Sequence, residues 1–153
     1  MEKMMDKPKF VYVTYIATTP EKLWAALTSP DFTEKYWAGG RIQSDWNEGS
    51  SVTLAKPDGD IYWDGEVLKS DPPRLLSYTF HAHKFDGSER PTRVVFELEP
   101  SGSKVKLTLT HDDFMPGSKV LTGVSNGWPQ VLCSLKSLLE CGRPLEFAAS
   151  CNA

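Results

Sequence analysis

The chain has no apolar run long enough to cross a bilayer as a helix, which takes about 20 residues. Its opening, MEKMMDKPKF, mixes acids with lysines where a signal peptide carries an apolar stretch. Both absences lead to the cytoplasm as the expected location. A basic excess is missing too. The formal net charge is -3, which leaves no electrostatic footprint for nucleic acid or an anionic membrane surface. The 3 cysteines, Cys133, Cys141 and Cys151, are odd in number, fall late and form neither a CxxC nor a Cys/His cluster. Neither a disulfide framework nor a zinc site is suggested. No GxGxxG or Walker segment is present to cradle a phosphate, and no GxSxG elbow to expose a nucleophilic serine. No cofactor and no metal are expected. Repeats and low-complexity stretches are absent as well.

What is present is ordinary globular composition, 40% hydrophobic and 24% charged over 153 residues. It suits a single domain, 1–153, with its core over about 10–143 and flexible ends at 1–8 and 145–153. Segment 10–18, FVYVTYIAT, is rich in β-branched and aromatic residues and predicts a strand. Phe10, Tyr12, Thr14 and Ile16 share one face, and Val11, Val13 and Tyr15 the other. Both faces are apolar enough to be at least partly covered. Thr19-Pro20-Glu21 is a helix start: a capping hydroxyl, proline at the first helical position and an acid in the first turn. Ser29-Pro30-Asp31 repeats the signal and predicts a second short helix ending near Tyr36.

Strands are then predicted at 41–46, 51–56, 61–70, 74–82, 92–99 and 104–111, with a long polar tip at 83–90. The turns Asn47-Glu48-Gly49 and Pro57-Asp58-Gly59 are hairpin signals, so neighbouring strands are expected to be antiparallel. In the last two strands Val94, Phe96 and Leu98, then Val105, Leu107 and Leu109, alternate with polar residues. That pattern gives one buried and one wet face.

Segment 123–142, GVSNGWPQVLCSLKSLLECG, closes the pattern with a long helix. Val124, Trp128, Val131, Leu132, Leu135, Leu138 and Leu139 form its apolar stripe, with Ser125, Gln130, Ser134, Ser137 and Glu140 mostly off it. Gly142 sits at the C-cap. Pro129 predicts either a bend or a start at Trp128. A helix of 20 residues and a strand of eight or nine both span about 25–30 Å. The fold class is therefore α+β, an antiparallel sheet of about six or seven strands wrapped around the C-terminal helix, with two short helices after the first strand.

The succession ATTPEKLWAALTSPDFTEKYWAGG, SDWNEGS, DGEVLKSDPPRLLSYTF, RPTRVVFELEP, LTLTHDDF and GWPQVLCSLKSLLECG resembles the activator-of-heat-shock-protein-90-ATPase homologue (AHSA-type) family. This family lies in the SRPBCC, START-like (birch-pollen-allergen-like) superfamily with the helix-grip fold. The resemblance covers roughly 10–143. It implies a cavity between the sheet's concave face and the long helix, and the family name implies a place in the stress response. Superfamily members bind lipids, hormones or polyketides, catalyse cyclisations or contact chaperones, so fold alone does not select a function. The ATPase of the family name is the chaperone's. In the eukaryotic co-activators such a domain accompanies a separate N-terminal chaperone-binding domain. Here the match starts near residue 10, so that second domain is not expected.

Trp37, Trp46, Trp63, Tyr78, Phe80, Phe114 and Trp128 suit the walls of such a cavity as apolar bodies, the tryptophans and Tyr78 with polar tips, and they also suit plain core filling. Leu132 joins them from the helix. His111 continues the inward series of its strand, beside Asp112 and Asp113. It is either a ligand contact or general base, or a structural histidine at the strand's end. His81 and His83 share a strand face, but no third metal ligand has a suggestive spacing, and the nearest acid is Asp86 in the tip. Asp45, Asp64 and Glu66 are strand acids, the last two expected to face solvent or a neighbouring strand's lysine. Cys133 reads as a structural thiol.

Three functions follow as expectations. The first is non-catalytic binding of a small hydrophobic or aromatic molecule between sheet and helix. The second is co-chaperone-like activation of a heat shock protein 90-type ATPase by protein contact. The third is a cyclase- or hydrolase-like enzyme using His111. The chain is expected as a monomer or as a homodimer through a sheet edge or the Val11/Val13/Tyr15 face, without nucleic acid or membrane.

Overall fold

Strand β1 (Phe10–Ile16) leads into α1 (Pro20–Thr28) and α2 (Pro30–Tyr36) in the computed structural model, which describes residues 8–83 and 89–145. Thr19 caps α1 by accepting from the Lys22 amide at 3.2 Å, and proline opens each helix, where its missing N–H is no loss. Six further strands follow: β2 (Arg41–Ser44), β3 (Ser51–Ala55), β4 (Ile61–Asp71), β5 (Leu75–Ala82), β6 (Thr92–Ser101) and β7 (Lys104–Asp112). The seven strands form one antiparallel sheet in the order β1-β7-β6-β5-β4-β3-β2. Consecutive hairpins build it, and β1 closes onto β7 because Phe10 to Ile16 pair with His111 to Val105. Gly49 (φ 91) and Gly59 (φ 97) take the left-handed turns that the hairpin signals require. Gly65 serves a different need. A Cβ there would stand 1.8 Å from the Thr79 carbonyl oxygen, so only glycine lets β4 lie this close to β5.

The long helix α3 (Lys119–Cys141) covers one face of the sheet, and this is the helix-grip architecture. Strand residues of one phase are buried beneath it: Val94, Phe96 and Leu98 on β6, and Val105, Leu107, Leu109 and His111 on β7. From α3 come Val120, Val124, Trp128, Val131, Leu132 and Leu135. Near its C-terminal end, Lys136 Nζ donates to the Tyr15 carbonyl at 2.5 Å, and Glu140 accepts from the Ala17 amide at 2.8 Å. These bonds tie the helix to the end of β1. Among the described residues no helix is long and apolar enough to cross a membrane.

Several expectations change. The helix begins at Lys119, not at 123, and runs on through Pro129. Ser118 caps it, and the buried Glu89 carboxylate accepts from the Ser118 hydroxyl (2.6 Å) and the Lys119 amide (2.8 Å). The first turn thus has partners for its free amides, which offsets the weak helix preference of Gly123. Ser134, expected off the stripe, is buried. The chain folds back after the Gly142 cap, and the Leu145 amide donates to Ser134 Oγ at 3.1 Å. The second face of β1 is covered only in part: Val11, Val13 and Tyr15 are each nearly half exposed among the described residues. The expected flexible ends lie almost wholly outside the described residues, as do Asp86, Cys151 and most of the 83–90 tip.

Candidate functional site

Where the sheet faces the N-terminal half of α3, the inward side chains are aromatic. Trp63 on β4 stacks on Tyr78 of β5 (centroids 5.0 Å, interplanar 14°) and touches Phe80 (4.9 Å). Alternation makes this pile: Tyr78 and Phe80 share a face of β5, and the β4·β5 register sets Trp63 beside them. Phe80 meets His111 edge-on at 4.9 Å, and His111 lies against Phe114 at 4.7 Å. Trp128 comes down from α3 onto Phe80 (6.3 Å), Phe96 (5.9 Å) and His111 (6.1 Å). Trp37, at the end of α2, bridges Trp63 (5.8 Å) and Trp128 (5.3 Å). It is only half-buried, and Ala38 (φ 49) and Gly39 (φ 76) follow it in left-handed conformation. Trp46 reaches the group through Tyr78 at 6.5 Å, with its indole N–H donating to the Thr28 carbonyl. Leu132 is buried one turn beyond Trp128. The structure thus joins eight of the nine predicted residues in one connected series of ring contacts, and buries Leu132 on the same helix as Trp128.

His111 is fully buried and sits in a closed chain of hydrogen bonds. Trp128 Nε1–H donates to His111 Nδ1 at 3.0 Å, so Nδ1 is an acceptor and the proton lies on Nε2. That nitrogen is 2.6 Å from Thr92 Oγ1, whose own hydroxyl donates to the Phe80 carbonyl at 3.1 Å. Burial holds the imidazole neutral and lowers its pKa to about 3, against a smaller opposing pull from Asp112. Both ring nitrogens are engaged, which leaves no lone pair for a general base. The geometry therefore favours the structural reading over the catalytic one.

Trp63 is the counterpart. It is 3% exposed, and its Nε1–H has no hydrogen-bond partner among the described residues. A buried donor left unpaired costs about 1–3 kcal/mol, so native proteins keep few of them.

Three participants are not among the predicted site residues. Thr92 had a signal, since it is in phase with inward Val94, Phe96 and Leu98 and is the polar residue of that series. Phe96 belongs to the inward series of its strand, but alternation alone does not join it to the cluster. Glu89 had none: it acts on a helix start 30 residues later in the chain. Asp64 faces solvent, as expected, but its near neighbours are histidines: the register sets it beside His81, and its carboxylate is 3.2 Å from His83 Nε2 and 3.8 Å from His81 Nδ1.

The family model described as Activator of Hsp90 ATPase homolog 1-like protein matches residues 17–140. The chain belongs to this family. Among solved structures it is similar to protein MLL2253 from Mesorhizobium loti, with 30% identity and a TM-score of 0.75, over 86% of this chain and 96% of that one. It is also similar to the Aha1 dimer from Colwellia psychrerythraea, with 25% identity and a TM-score of 0.73, over 88% and 98%. PFC0360w, an HSP90 activator from Plasmodium falciparum, shares the fold at 20% identity and a TM-score of 0.72, over 86% and 95%. No curated protein matches the chain.

Proposed function

We propose that this AHSA1-family chain binds a small, flat, apolar molecule carrying a hydrogen-bond acceptor, held between sheet and helix against Trp63. The observation that carries this reading is the unpartnered, buried Trp63 Nε1–H amid aromatic faces. A ligand oxygen or nitrogen would supply the missing acceptor, and the neighbouring rings would stack on its body. The rings touch one another without a guest, so entry requires one to move. Trp37 is suited to that: it is half-buried, ends a helix and is followed by left-handed backbone. His111, Phe114, Phe96 and Leu132 form the fixed floor. The reading is of binding without chemistry.

The test uses 8-anilinonaphthalene-1-sulfonate, a flat aromatic with acceptor oxygens, followed by its fluorescence. Saturable uptake is expected. Trp63→Phe should weaken it about fivefold or more, the worth of a hydrogen bond of 1 kcal/mol. Saturable binding that Trp63→Phe leaves unchanged, or no binding at all, would sink the proposal.

A second reading is contact with a heat shock protein 90-type ATPase, in keeping with the names of the family and of the Colwellia and Plasmodium relatives. The exposed row Val11, Val13 and Tyr15 on edge strand β1 favours it, because such apolar edges invite a partner. Adding the chain to a chaperone ATPase assay should raise turnover, and Val13→Glu should remove the effect. An unchanged rate with the wild-type chain would refute this reading.

A further inference from the structure

The outer face of the β4·β5 pair carries a cluster that the aromatic interior does not use. Asp64, His81 and His83 each offer one ligand atom, and these atoms lie within 4.8 Å of one another. We infer that Asp64, His81 and His83 form a binding site for one divalent transition-metal ion of the zinc, nickel or copper class.

Sheet geometry builds the site. His81 and His83 are two apart and project to the same side of their strand. Asp64 is the direct cross-strand partner of His81. The His83 amide donates to the Tyr62 carbonyl at 3.2 Å, which holds that residue beside β4 after β5 has ended. The imidazoles stand 5.0 Å apart, edge to face.

Distances fit the ion. Zinc with bonds of about 2.0–2.1 Å in a tetrahedron places its ligand atoms about 3.3 Å apart. Asp64 Oδ1 is 3.2 Å from His83 Nε2 and 3.8 Å from His81 Nδ1. His83 is exposed, which leaves its ring room to turn, and the three ligand atoms already lie within 4.8 Å of one another. Two imidazoles and one carboxylate suit borderline ions and disfavour magnesium or calcium, which take oxygen ligands. The fourth position would be left to water or to an external ligand.

An ion here would clamp the open end of the β4·β5 hairpin. The opposite face of that segment carries Trp63, Phe80 and Ala82, so the metal would stiffen the wall holding the unpartnered indole. Sequence spacing alone could not reveal the set, because Asp64 and His81 meet only through strand register.

The test is calorimetric titration of the full chain with zinc chloride, in a buffer that does not coordinate metal and without an affinity tag. A Cys133→Ser/Cys141→Ser/Cys151→Ser background removes thiolate binding. Saturable uptake of one equivalent is expected in that background, with a rise in melting temperature. Asp64→Asn and His83→Ala should each weaken it at least about tenfold, the scale on which metal sites respond to lost support. Asp64 and His83 lie on the outer face of the sheet, so these two changes leave the core intact. A non-saturating isotherm would show only a histidine–aspartate ion pair and overturn the inference. So would uptake lost with the thiols, or uptake indifferent to both substitutions.

Discussion

Trp63 and Trp128 are two indoles with the same 3% exposure, packed into one aromatic interior from opposite sides. Trp128 donates to His111, which is engaged in turn by Thr92, whose hydroxyl reaches the Phe80 carbonyl. Trp63 has the same donor and, among the described residues, no acceptor. Burial is equal, so burial does not explain the difference. The satisfied end is a polar network that locks α3 onto β5, β6 and β7. The unsatisfied end lies against Trp37, a half-buried ring of the group. A protein optimised only for stability would pair both indoles or replace one. The inequality separates a paired part of the interior, which maintains the fold, from the part where the proposed ligand would bind.

The strongest way to break this comparison is to remove the centre of the satisfied end. His111→Ala strands the Trp128 donor, deprives Thr92 of its partner and leaves a void beside Phe80 and Phe114. A loss of about 3–5 kcal/mol is expected in chemical denaturation, a large part of the typical stability of a domain. The wild type should also show a pH signature. Its folded pKa, lowered by burial to about 3, lies below the unfolded value near 6.5. Unfolding therefore takes up a proton between these limits. The contribution is fully present above about pH 6.5 and fades as pH falls toward 3, at up to about 1.4 kcal/mol per unit. Subtracting the variant's pH profile from that of the wild type should leave this slope. A flat difference between pH 4 and 6 would mean that His111 is not held neutral, and the locked-network account would fail.

The two ends were not equally legible in the sequence. Strand alternation, turn chemistry and helix-cap residues are local signals, and they predict the sheet, the paired short helices and the inward direction of His111. The start of α3 was misjudged because its partners are distant. Ser118 looks like loop until Glu89 is seen to cover the first turn. The pairing of Trp128 with His111 depends on how a helix settles over a sheet, which no spacing encodes. The same holds for Asp64, whose partners depend on strand register. For the row on β1, alternation tells which residues share a face, but not how far another element covers it.

The sharpest test exchanges the indoles for rings without a donor. Trp128→Phe leaves His111 Nδ1 buried without its donor and reduces the buried ring area, so it should destabilise by about 1–3 kcal/mol. Trp63→Phe also loses ring area, worth a similar sum by burial alone. It removes an unpaired buried donor at the same time, and relief of that penalty, about 1–3 kcal/mol, acts in the opposite direction. The two terms nearly cancel, so a change of less than about 1 kcal/mol is expected in the ligand-free protein. Urea midpoints of the two variants, taken with unchanged transition slopes, measure the contrast directly. If Trp63→Phe proves as damaging as Trp128→Phe, the Trp63 N–H has an acceptor in solution and the two ends of the interior are alike.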